Sequence, residues 1–144
     1  MTPEEAIKPL LDQIEPPAME EYFGKPIYAY TRAQAILDGL QVEVTKTAQE
    51  AGIRFPVFLT RAVWDQYVKV PAGVSCQDEA GRLWDVLWMT RFAIRKEQGD
   101  QIRVRLYVRN DRRKARLVEL KAVCSALDLD DAQPAITIML PEED

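Results

Sequence analysis

The clearest pattern in the chain is a strict alternation over Gln101–Arg109. Ile102, Val104, Leu106 and Val108 point one way, and Arg103, Arg105, Tyr107 and Arg109 the other. A period of two with one polar face predicts a strand covered on a single side. Ala115–Cys124 and Ala135–Leu140 read as two further strands, with Asn110–Lys114 as a hairpin tip. Together they suggest a three-stranded antiparallel meander. Just upstream the period changes to 3.6. Over Asp78–Lys96, Ala80, Leu83, Leu87, Thr90 and Ile94 form a core stripe, while Asp85 and Lys96 face water. Between those faces runs a third line, Trp84, Trp88, Arg91 and Arg95, one or two turns apart.

The first half has shorter units. Lys25–Tyr30 reads as a strand, and Thr31 is placed to cap a helix Arg32–Asp38 that stops at Gly39. Leu40–Thr45 alternates, with Val42 and Val44 on one face. Thr47–Ala51 is a helical turn closed by Gly52. Pro56–Thr60 is a second short apolar strand, and Thr60 caps a helix Arg61–Val68, with Pro71-Ala72-Gly73 as a loop. Residues 1–22 read as an N-terminal appendage. Thr2 and Glu5 have capping-box spacing and Ile7, Leu10, Leu11 and Ile14 make a stripe, but Pro9 breaks the helix and Pro16-Pro17 ends it. The expectation is one α+β domain over residues 23–144. Its antiparallel sheet combines the C-terminal meander with short N-terminal strands, packed on one long central helix with small flanking helices.

Composition narrows the chemistry. The chain has 144 residues, a net charge of −4, two cysteines and no histidine. That removes His-based triads and zinc sites, and two cysteines cannot make a Cys₄ cluster. No glycine precedes a Lys-Ser/Thr pair, so no phosphate loop is present. Asp128-Leu129-Asp130-Asp131 lacks the glycine and the twelfth-position acid of a calcium loop and reads as a solvated acidic turn. Asp38, Glu43, Asp65, Asp78, Glu79, Asp85 and Glu119 form no catalytic pair by spacing. No catalytic residue, metal ligand or cofactor is assigned. An acidic start without an apolar block gives no secretory signal, and no run reaches the ~18 apolar residues of a membrane span. The expectation is a cytoplasmic protein with Cys76 and Cys124 reduced and no membrane partner.

Two surfaces are candidates for contact. Trp84, Trp88, Arg91 and Arg95 have the composition of a protein-binding hot spot, or else indoles packed on the sheet beneath arginine stems. Residues 101–116 carry seven basic groups and one acidic. Arg103, Arg105, Arg109, Arg112, Arg113 and Arg116 could therefore bind nucleic-acid phosphates. The competing expectation is that Glu119, the Asp128 turn and the Glu142-Glu143-Asp144 end neutralise them within the fold.

Four blocks, Ile27–Gly39, Phe55–Trp64, Gln77–Met89 and Ile136–Asp144, together resemble an uncharacterised family of small bacterial proteins. Its members are found on plasmids and integrative mobile elements, and the resemblance covers residues 22–144. It implies an origin and no activity. Separately, Tyr30-Thr31 with Ala33, Ile36, Leu37, Gly39 and Leu40, and then Phe58-Leu59-Thr60, resemble the opening of ADP-ribosyltransferase-type folds. That resemblance makes Tyr28, Tyr30, Thr31 and Arg32 nucleotide-binding candidates. The position that holds histidine or arginine in those enzymes is Ala29 here, and Glu119 is the candidate for their glutamate. The leading expectation is a non-enzymatic accessory protein that binds a macromolecule, preferentially a protein. A degenerate nucleotide-binding domain and a nucleic-acid binder are the alternatives.

Overall fold

A computed structural model describes residues 30–144; the N-terminal appendage, Tyr28 and all of the strand expected over Lys25–Tyr30 except Tyr30 lie outside the described residues. The chain first forms helix α1 (Arg32–Leu37), strand β1 (Gln41–Glu43), helix α2 (Thr45–Glu50) and strand β2 (Val57–Thr60). A helical turn α3 (Arg61–Val63) leads into a π-turn over Trp64–Val68. The long helix α4 (Glu79–Lys96) and strands β3 (Gln101–Val108), β4 (Arg116–Asp128) and β5 (Asp131–Met139) complete it. The fold is α+β, as the sequence implied.

Local chemistry explains most boundaries. The Thr31 hydroxyl accepts from the Gln34 amide at 3.0 Å, the Thr60 hydroxyl from Val63 at 3.3 Å and the Asp78 carboxylate from Gly81 at 2.7 Å. Each satisfies a donor that a helix start leaves orphaned. Gly39 follows α1 at φ +76°, the left-handed conformation that ends helices.

Three expectations are corrected. The helix foreseen over Arg61–Val68 is helical only to Val63 and then widens, with Lys69 N–H reaching the Trp64 carbonyl at 2.8 Å. Val63 and Val68 are both fully buried. Five residues apart on an α-helix they would diverge by about 140°, and the wider turn brings both inward. The stripe of α4 is rotated: Ala80 is exposed, and the buried set is Arg82, Leu83, Val86, Leu87 and Thr90.

The third correction concerns the sheet, which is mixed. Its order is β1-β2-β5-β4-β3, and β2 and β5 run parallel, with Val57 opposite Ile136 and Leu59 opposite Ile138. The other three pairings are antiparallel. The reason is visible in the two apolar runs. Val57, Phe58 and Leu59 are buried without alternation, as are Ala135 to Met139. Strands covered on both faces belong in the middle of a sheet.

On one face, Leu83, Val86 and Leu87 of α4 meet Val104, Leu106, Leu120, Leu59 and Ile138 in the main core. On the other, Phe58, Ala135, Thr137 and Met139 are also buried. There the Arg32 guanidinium lies 4.2 Å from the centroid of the Phe58 ring.

The acidic turn between β4 and β5 is more than solvated charge. The Asp128 carboxylate accepts from the amides of Leu129 (2.8 Å), Arg32 (3.0 Å) and Ala33 (3.0 Å), so it caps α1 from across the fold. The amides of Leu129 and Ala33 foremost hold its carboxyl below the usual range. A depressed folded pKa contributes stability above the unfolded value, near pH 4, that is lost as pH falls through the folded one. The melting temperature of Asp128→Asn is therefore expected below that of the parent at pH 7. The gap should close in acid, below about pH 4. A gap that persists unchanged at low pH would contradict the assignment.

Candidate functional site

Helix α4 presents an aromatic ridge on the side away from its core stripe. Trp84, Trp88 and Phe92, spaced i, i+4 and i+8, are 38%, 46% and 52% exposed. The two indoles stack at 5.9 Å between centroids and 13° between planes. Arg91 continues the line with its guanidinium 5.1 Å from the Trp88 ring, and the Lys96 ammonium lies 5.1 Å from Phe92. The arginine has room because residue 52 is glycine, where a Cβ would come within 2.6 Å of Arg91 Nε. Arg95 is exposed at the end of the line. The indoles thus pack on each other, with the Arg91 guanidinium over one of them. Phe92 was not foreseen, although its spacing from Trp88 was the available signal.

Beside the ridge a trough separates α4 from β3. One hollow of about 390 Å³ lies between Met89, Phe92 and Lys96 on the helix and Arg103 and Arg105 on the strand. A second, of about 250 Å³, lies between Trp88 and Met89 and the strand residues Arg105, Tyr107 and Leu117. They share Met89 and Arg105. Tyr107 and Leu117 are cross-strand partners, 68% and 57% exposed, and add apolar surface to the trough's far wall.

The basic hairpin is partly paired. Glu119 is shared by Arg105 at 3.4 Å and Arg103 at 4.0 Å, and Arg116 reaches Asp111 at 3.7 Å. These contacts are exposed and individually weak. Arg112 and Arg113 stand exposed at the tip, and Arg109 is half-buried, its carbonyl accepting from Arg82. The six arginines do not form one unpaired stripe.

The nucleotide-binding candidates have structural duties. Thr31 is a helix cap. Arg32 donates from Nε to the Leu127 carbonyl at 2.6 Å and from Nη1 to Gln41 Oε1 and Thr137 Oγ1, both at 2.9 Å. Burial lowers its pKa and nearby Asp128 opposes the shift. Tyr30 is half-exposed, and Glu119 is occupied by arginines. Among the described residues no group of histidine, cysteine or carboxylate side chains could hold a metal. Cys76 and Cys124 are free and exposed.

A fully buried arginine was not anticipated. Arg82 is 5% exposed and donates to four acceptors on the preceding π-turn, the loop before α4 and the end of β3. Burial lowers its pKa; burial also raises that of Asp85, with Arg82 pulling the other way. Arg82 and Asp85 line, with Cys76, Asp78 and Trp84, an open hollow of about 600 Å³ at the start of α4.

The model of a family described as a family of unknown function (DUF6573) matches residues 19–144. No curated protein and no solved structure matches the chain.

Proposed function

The chain belongs to that family of unknown function, and we propose from its surface that it is a non-enzymatic binding module that docks a protein on the α4 ridge. The observation that carries this reading is the exposed line Trp84, Trp88, Phe92. An aromatic side chain offers roughly 200 Å². Leaving half of it in water forgoes about 2.5 kcal/mol per ring at ~25 cal/mol per Å². Three such rings in a row make a patch of the size that marks interaction sites on monomers. Trp with adjacent Arg is also the composition of binding hot spots.

The resemblance to bacterial proteins of plasmids and integrative elements supports an accessory role in a mobile element. No helix among the described residues is long and apolar enough to cross a membrane. Two free thiols fit a reducing cytoplasm.

The test is affinity capture from the native host with the parent chain and with the double variant Trp88→Ala, Phe92→Ala. Retention of the specific partner is expected to fall at least tenfold, as loss of two hot-spot rings implies. The melting temperature is expected to fall, because the packed half of each ring is lost, so retention is compared at a temperature where circular dichroism shows both chains folded. An unchanged partner set with an intact fold would remove the ridge as the interface.

A further inference from the structure

Strand β3 closes the sheet order on one side, and its pairing with β4 fixes where its backbone groups point. Cys124 N–H donates to the Asp100 carbonyl at 2.8 Å, so residues 100 and 124 form a hydrogen-bonded pair. The antiparallel register then aims the amides and carbonyls of Ile102, Val104, Leu106 and Val108 at β4. Those of Gln101, Arg103, Arg105 and Tyr107 point outward. Among the described residues they have no hydrogen-bond partner.

This open edge borders the trough whose other wall is Trp88, Met89 and Phe92. A strand edge beside an aromatic helix face is the geometry in which an extended peptide adds to a sheet. Main-chain bonds supply affinity, and alternate side chains enter pockets.

We infer that the trough receives an extended acidic–apolar segment of a partner protein, which adds to β3 as a sixth strand. The inference rests on the binding-module reading and specifies its occupant. Charge selects the class. On the sheet face that turns away from α4, Arg103, Arg105 and the cross-strand Lys121 are met by Glu119 alone, whereas on the α4 side Lys96 stands beside Glu97 and Asp85. Carboxylates on every second residue of the incoming strand would meet this surplus, while the intervening apolar side chains meet Trp88, Met89 and Phe92. A second copy of the chain fits poorly. Antiparallel pairing of two β3 edges would set the arginines of one against those of the other, and like charges directly opposite are destabilising.

The experiment uses the full chain, isotope-labelled, titrated with a ten-residue peptide alternating glutamate with valine or phenylalanine. A lysine-alternating peptide of the same apolar content is the control. The glutamate peptide is expected to bind at least tenfold more tightly. It should also slow hydrogen exchange at the amides of Arg103, Arg105 and Tyr107. Arg105→Pro removes one outward amide and no ladder bond, and is expected to weaken binding at least tenfold. Arg105→Gln, which keeps that amide, should lose at most about fivefold. If Arg105→Pro fails to fold, exchange protection in the parent chain decides. Absence of binding by the glutamate peptide, equal binding by the lysine peptide, or unprotected edge amides in the bound state would overturn the inference. So would a dimer joined through β3. If Trp88→Ala with Phe92→Ala still abolishes partner capture in any of those cases, the ridge reading stands without strand addition.

Discussion

Replacing Arg82 with methionine is expected to lower the unfolding free energy by about 3 kcal/mol, with the urea midpoint falling at constant slope. The side chain has similar length and the site is buried, so the change is not one of volume. What is lost is a four-way tie. Nε donates to the Tyr67 carbonyl at 3.1 Å, and Nη1 to Gln77 Oε1 and the Arg109 carbonyl, both at 2.8 Å. Nη2 donates to Asn110 Oδ1, whose amide in turn donates to the Gln66 carbonyl at 2.8 Å. One residue of α4 therefore fastens the π-turn behind it, the loop before it and the turn after β3.

Exchanging a whole buried ionic group for apolar packing is often neutral. Here four acceptors would remain behind, and each hydrogen bond to a charged group carries about 1.5–3 kcal/mol. Partial rehydration keeps the sum well below that total. Arg82→Lys should recover little, because a single ammonium cannot span acceptors that the planar fork reaches in several directions. A lysine variant within about 0.5 kcal/mol of the parent, the range of ordinary surface changes, would refute the tie.

Arg32→Met should cost less, about 2 kcal/mol, and in a different way. Arg32 links α1 to β1 through Gln41, to β5 through Thr137 and to the β4–β5 hairpin through the Leu127 carbonyl, while covering Phe58. Helix α1 has only six residues. A helix that short does not persist without packing. The variant is thus expected to release α1 locally, accelerating amide exchange over Ala35–Leu40 while Leu120 and Ala122 in β4 keep their protection. Uniform loss across the sheet would mean that α1 and the sheet unfold as one unit.

The two arginines also mark where the sequence was legible. The elements were readable because their signals are local: capping threonines at 31 and 60, Gly39, the alternation of β3 and the 3.6-residue period of α4. The partners of Arg32 and Arg82 lie up to 105 residues away in the chain. No spacing rule reaches that far. Helical spacing gives Arg82 no place in the predicted stripe, and only the neighbouring segments make it part of the core. The parallel pairing was hidden for a related reason. Continuous apolar runs at Val57–Leu59 and Ala135–Leu140 announce burial on both faces but name no partner strand. At the site, the Trp–Arg line was readable from helical spacing, whereas the trough beside it depends on which strand ends up at the edge.

The strand order has one more consequence, for the protein's birth on the ribosome. β5 sits between β2 and β4, yet it is the last strand of the fold to be synthesised. Until it emerges, β1–β2 and β3–β4 are separate ribbons, each with an apolar flank awaiting the same missing piece. At ~5–20 residues per second, that interval lasts roughly 4–16 s for the β2 edge and about 0.5–2 s for that of β4. During it the nascent chain offers two sticky edges to its surroundings, so its yield in the cell should respond to chaperone supply and elongation rate more than to the finished protein's melting point.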